Sequence, residues 1–161
     1  SHVASLLGMT EEGLSTRWAF PQGKAYKREE ETFMTNHMET AHALRGRTDV
    51  HFNCCQSVLV SFAADLGLTE EQAFALGSNF GAGMRMGSAC GALTGALMAL
   101  GLMGCDEKKA AELLRRFRTD HGATDCAALL RASKDRGEEK KAHCDGLVYE
   151  MVQAVEELAG E

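Results

Sequence analysis

Six cysteines stand in this 161-residue chain, at positions 54, 55, 90, 105, 126 and 144. Four of them share a local setting. Cys54 follows Asn53, Cys90 follows a glycine-rich loop and Ser88, and Cys126 follows Thr124 and Asp125. Each of these three falls in or near the first turn of an expected helix, and Cys144 lies near the start of the last one. The free N–H groups and positive dipole end of a helix N-terminus favour thiolate over thiol. Apolar residues follow Cys126 and Cys144 at three and four positions (Leu129 and Leu130; Leu147 and Val148), and Cys90 is aligned with Leu93 and Leu97. Thiolates fed by several helix dipoles under an apolar roof would suit an anionic metal–thiolate cluster.

The spacing argues against simpler sites. Without CxxC, neither a zinc knuckle nor a thioredoxin-type dithiol is encoded locally, and without CxxCH there is no c-type haem attachment. On one continuous helix Cys105 would lie roughly 22 Å from Cys90, at 1.5 Å per residue, so it reads as a buried apolar filler.

The elements that must position these thiols are helical. Ala, Leu, Glu, Met and Lys dominate, Val and Ile are scarce, and Pro21 is the single proline, a balance that disfavours sheet. The pattern predicts an all-α compact multi-helix bundle of six to seven helices. A short helix capped by Thr10 precedes Pro21, and a longer one runs from about Lys27 to Arg45. The next begins near Asn53 or Cys54 and ends at Gly67, and another is capped by Thr69. A loop, FGAGMRMG, leads to the glycine-notched segment SACGALTGALMALGLMGC, whose helix ends at Gly101 or Gly104. Asp106 caps the following helix, a short one carries Cys126, and the last carries Leu147 through Leu158. Gly87, Gly91 and Gly95 recur every fourth residue and fall in line if helical, which predicts a very close approach by a neighbour. The expected organisation is an N-terminal helical extension over 1–50 and a four-cysteine helical domain over 51–161, together one compact unit.

Residues 86–105 form an uncharged run of membrane-span length, but five of its residues are glycine, Ser88, Thr94 and two thiols dilute it, and no aromatic belt flanks it. A buried helix is therefore expected rather than a span. The net charge of −6 disfavours nucleic acid. No secretory signal is visible, so a cytoplasmic location is expected, with an exported form whose signal has been removed left open. GAGMRMG lacks a preceding strand and does not read as a nucleotide loop, though Arg85 within it could neutralise a cluster's charge. Glu39 and His42 form an ExxH with no second copy to complete a di-iron site. His37 reads as a hydrogen-bonded core histidine. His51, three residues before Cys54, is the histidine best placed to neighbour a metal.

NCCQSVL, FGAGM and CGALTGALMALGL, followed by one cysteine midway to the end and another near the start of the last helix, resemble the bacterial C_GCAxxG_C_C family over about residues 51–152. The family's CGAxxG element stands here as Cys90-Gly91-Ala92-Leu93-Thr94-Gly95, and its other cysteines match Cys54, Cys126 and Cys144. The resemblance implies a redox-active protein. A related domain in split-Soret cytochrome c carries an iron–sulfur centre beside its haems, which implies Cys54, Cys90, Cys126 and Cys144 as ligands of such a centre, expected to be 2Fe–2S. Without a haem-attachment motif, the haem part does not transfer. The family has a small residue after its first cysteine where this chain has Cys55, and helical periodicity alone places Cys55, not Cys54, on the face of Val58, Leu59 and Phe62; Cys55 stays open as a substitute ligand. The expected role is one-electron transfer with a protein partner, or redox sensing, rather than stand-alone enzymatic turnover. A metal-free thiol/disulfide oxidoreductase and a zinc-binding structural module are the alternatives, and a homodimer is open.

Overall fold

The computed structural model describes residues 36–160. Among them seven α-helices follow one another: α1 (His37–Gly46), α2 (Cys54–Ser61), α3 (Glu70–Gly77), α4 (Gly91–Leu102), α5 (Glu107–His121), α6 (Cys126–Asp135) and α7 (Lys140–Gly160). A π-helical turn, Gly83–Gly87, joins α3 to α4, and one isolated antiparallel bridge pairs Ala89 with Asp125. The fold is all-α as expected, with an element count slightly above the expected range. The short helix expected after Thr10 and the 27–35 portion of the next lie outside the described residues.

Side chains that satisfy free N–H groups decide where the helices start. Asn53 and Gln56 form a reciprocal capping box at α2, and Thr69 and Gln72 form another at α3. Asp106 accepts from the N–H groups of Lys108 and Lys109 at α5. The α5 helix stops at Gly122, whose φ of 74° lets its N–H close on the Arg118 carbonyl. The α2 helix is shorter than its hydrophobic stripe predicts and ends at Ser61, not Gly67. The Ser57 and Ser61 hydroxyls bond back to the carbonyls of Asn53 and Ser57 at 2.9 and 2.7 Å, and such back-bonding competes with the helix ladder. From Phe62 to Gly67 the chain continues as tight turns, with the Leu66 N–H shared between the Phe62 and Ala63 carbonyls.

The α4 helix is central, packing on α2, α7 and α5. Its Ala92, Leu93, Ala96, Ala99 and Leu100 are buried, as are Val148, Met151, Val152 and Val155 of α7. Two glycines set the approach of α4 to α2. A Cβ at Gly95 would lie 2.8 Å from the Cys55 carbonyl oxygen, and one at Gly91 would lie 2.8 Å from that of Phe80 and 3.3 Å from the Cys54 Cβ. No real methyl group occupies such space. Gly87, expected in the same stripe, lies in the turn before the helix with φ 77°, so the stripe has two helical members. Their effect is to press the first turn of α2 onto the first turn of α4. Among the described residues no helix is long and apolar enough to cross a membrane.

Candidate functional site

The close approach of α2 and α4 brings their N-termini together, and with them Cys54, the first residue of α2, and Cys90, the N-cap of α4. The Ala89–Asp125 bridge adds a third helix start. The Cys90 N–H donates to the Thr124 carbonyl at 2.9 Å, and the Cys126 N–H donates to the Ser88 carbonyl at 2.7 Å. Alternation along such a pair turns Cys90 and Cys126 to the same face, opposite Ala89 and Asp125. Cys126 is the first residue of α6. Cys144, in the first turns of α7, completes the group.

Cys54, Cys126 and Cys144 line one cavity of about 700 Å³, together with His51, Arg45 and Lys140. Cys90 is buried, and its charge is felt by Cys54 while its own sulfur feels Cys126 and Cys144. Cys55 turns the other way. It is 0% exposed, its sulfur lies 3.9 Å from that of Met98, and its backbone is the surface that Gly91 and Gly95 meet. Burial pushes its thiol up to about 12. Cys105, beyond the end of α4, packs against the core and does not line this cavity.

The four thiols differ in state. Cys144 is lowered from 9.0 to about 7, first by a hydrogen bond from Cys54, then by the Arg45 and Lys140 cations, against the cost of burial. Cys54 is raised, because its proton serves that hydrogen bond and because it is buried. Burial also raises Cys90, although the Leu93 and Ala92 N–H groups pull the other way, and it raises Cys126, which also feels Cys144. The helix starts alone do not make these thiols acidic, because desolvation outweighs them. The Cys54 donor, with both Arg45 and Lys140 acting on one sulfur, sets Cys144 apart.

Two supporting residues escape a motif-based reading. The Arg45 side chain, 8% exposed, bonds Asp145 at 2.6 Å and the Phe52 carbonyl at 2.7 Å, which fixes a buried cation beside Cys54 and Cys144. Its one sequence signal is its place four residues after the inward-facing Ala41. Asn53 does more than cap α2: its Nδ2 donates to the Gly77 and Ser78 carbonyls at 3.1 and 3.3 Å, tying α3 to the cysteine-bearing turn. Unlike His51, which lines the cavity, His37 and His42 have partners elsewhere. His37 bonds Asp65 at 2.6 Å and Glu156 at 2.8 Å against the Phe62 ring. His42, of the ExxH, stacks on Tyr149 with ring centroids 3.8 Å apart.

The turn before α4 carries the strained backbone of the site. Ala82, Met84 and Arg85 take φ of 51°, 56° and 61°, a left-handed conformation that costs non-glycine residues of order 1–3 kcal/mol each. Gly83 lets this turn press on the site: a Cβ there would lie 2.6 Å from the Cys126 Cβ.

Among the described residues no three His, Cys, Asp or Glu side chains stand close enough to hold a single metal ion. Three soft sulfur donors lining one larger space, a fourth buried beside them, and Arg45 and Lys140 close by make a donor set whose chemistry would suit an anionic iron–sulfur group. A family model described as "Putative redox-active protein (C_GCAxxG_C_C)" matches residues 52–158, the span from the residue before Asn53 into the last turn of α7. Neither a curated protein nor a solved structure matches the chain.

Proposed function

The chain belongs to the C_GCAxxG_C_C family, and on that premise we propose that Cys54, Cys90, Cys126 and Cys144 together hold an iron–sulfur cluster of the 2Fe–2S type. The observation that carries this reading is the gathering of Cys54, Cys126 and Cys144 from three helices around one cavity, with Cys90 of a fourth buried beside them and coupled to Cys126 and Cys144, while Cys55 and Cys105 face elsewhere. When bound, such a cluster takes up and returns one electron at a time. The protein's part is to supply the donors and set their surroundings. Cys144 is ready as a thiolate near neutral pH, whereas Cys54, Cys90 and Cys126 must release protons on binding, which makes loading easier as pH rises. The Arg45 guanidinium and Lys140 ammonium oppose the gathered negative charge, and Asp145 holds Arg45 in place. Phe74 and Leu130 supply apolar wall. The role is electron transfer with a protein partner, or redox sensing.

A second reading has its own observation. The coupling of the Cys54 thiol to the acidic Cys144 in the same cavity suits a resolving thiol and an attacking thiolate. In a metal-free oxidoreductase, Cys144 would attack a substrate disulfide and Cys54 would close the protein disulfide, releasing two substrate thiols for two electrons.

Anaerobic purification with iron, sulfide and zinc analysis and a visible spectrum separates these readings. The cluster reading expects iron and sulfide in equal amounts and a visible chromophore that serine at position 54, 90, 126 or 144 removes, while Cys105→Ser keeps it. Iron-free protein, or an intact chromophore in one of the four variants, overturns it. A colourless protein with stoichiometric zinc assigns the thiols to a zinc module, and a metal-free one that gains a Cys54–Cys144 disulfide assigns them to the oxidoreductase.

A further inference from the structure

The cluster reading employs the thiols, Arg45 and Lys140, and leaves the rim of the cavity without a role. That rim is built from the strained turn. It is anchored from beneath, where positions 83 and 87 lie against the Cys126 and Ala127 Cβ atoms closely enough that only glycine fits without displacement. Its other side chains face outward: Met84 is 40% exposed and Met86 76%. Arg85 lines the cavity and donates to the Ser78 carbonyl at 3.3 Å. Neither Arg85 nor Lys140 has an ion-pair partner among the described residues. Of the other charges lining the cavity, Arg45 and Lys141 share the one carboxylate of Asp145, and Glu139, whose carboxylate accepts from the Ala142 N–H, is the one acid in the lining. Lys140 bears electrostatically on Cys126 and Cys144, but Arg85 bears on none of the shifted thiols. So cations outnumber acids at the mouth of the cavity, and Arg85 is the one that neither an ion pair nor a thiol engages among the described residues, beside two exposed thioethers, on a chain whose net charge is −6. Arginine and methionine are enriched at protein interfaces, and methionine adapts to varied contact shapes.

We infer that the Ala82–Gly87 turn, with Arg85 at its centre, is the docking surface for an acidic electron-transfer protein. This rests on the cluster reading for its purpose. The surface brings a negatively charged partner over the cavity that Cys126 lines, and one electron passes between the partner's redox centre and the cluster, one being oxidised as the other is reduced. The charge pattern makes the claim discriminating. Were net charge alone to govern encounter, this acidic chain would avoid an acidic partner.

The test uses the anaerobically purified full chain and a small acidic ferredoxin as probe, with a basic cytochrome c for comparison. Electron exchange is followed by stopped flow at about 50 mM and about 500 mM salt, bracketing strong and weak screening. Arg85→Glu and Met86→Glu are each expected to slow exchange with the ferredoxin about tenfold at low salt and much less at high salt. Lys108→Glu makes a charge change on α5 and is expected to alter the rate less than about twofold. Amide chemical-shift mapping with the oxidised ferredoxin supplies an independent readout. Perturbations at residues 82–87 and 139–141 that Arg85→Glu abolishes support the surface, even if the protein holds no cluster and no electron passes. Rates equal to those of Lys108→Glu, or a map centred on another face, overturn it even if the cluster is present.

Discussion

Alanine at Gly95 and alanine at Gly101 are the same substitution in the same helix, and they should have opposite effects. Both gain helix propensity of up to about 1 kcal/mol. Around Gly101 nothing lies within 4 Å of an added Cβ, so Gly101→Ala keeps most of that gain, tempered by its place near the end of α4. At Gly95 the new methyl would stand 2.8 Å from the Cys55 carbonyl oxygen, 3.1 Å from the Val58 Cβ and 3.3 Å from the Cys55 Cα. These neighbours are backbone or branched side chain in a buried helix and cannot swing aside, so α2 must shift. Overpacking costs typically about 1–3 kcal/mol; three contacts this short put Gly95→Ala in the upper part of that range, about 2–3 kcal/mol, which outweighs the propensity gain and leaves a net loss of about 1–2 kcal/mol. Thermal unfolding should show Gly95→Ala lowered by roughly 3–8 °C and Gly101→Ala raised by roughly 1–3 °C, with urea midpoints moving in the same directions. Because α2 carries Cys54, Gly95→Ala should also weaken metal retention, whereas Gly101→Ala should not. If Gly95→Ala proves as stable as Gly101→Ala, the account of why α2 and α4 meet is wrong.

Further outcomes follow from the same contacts. In metal-free protein, alkylation of Cys144 should rise with pH through a midpoint near 7, since its thiol is lowered from 9.0 to about 7; mass spectrometry after timed iodoacetamide exposure reads the site. At pH 7 that shift means about fifty times more thiolate, but lower intrinsic nucleophilicity cuts the rate gain to roughly five- to tenfold over an ordinary thiol. Arg45→Met should move this midpoint upward, because it removes a cation that lowers Cys144; an unchanged midpoint would refute the assignment. Asn53→Ala deletes the α2 cap and two bonds to the Gly77 and Ser78 carbonyls, and should lower stability by roughly 2 kcal/mol in urea unfolding.

How much was legible in advance depended on how local the determining forces are. Helix starts at Asn53, Thr69 and Asp106 could be read because a capping side chain and its target N–H lie within three residues of each other. The all-α class followed from propensity and periodicity, which likewise act along the chain. The end of α2 was not legible: back-bonding serines and tight turns stop the helix at Ser61 although its apolar stripe runs on. The same divide runs through the site. The sequence by itself determined that thiols would sit at helix starts, and periodicity alone pointed Cys55 toward the core, where it lies 3.9 Å from the Met98 sulfur. Only the tertiary structure decided which thiols meet, because that depends on two glycines admitting α2 to α4 and on a single bridge pairing Ala89 with Asp125. It also decided their acidity. A helix start lowers a thiol through its own first-turn N–H groups, but burial, the Cys54 thiol and the Arg45 cation come from segments far apart in the chain, and those influences are the larger ones.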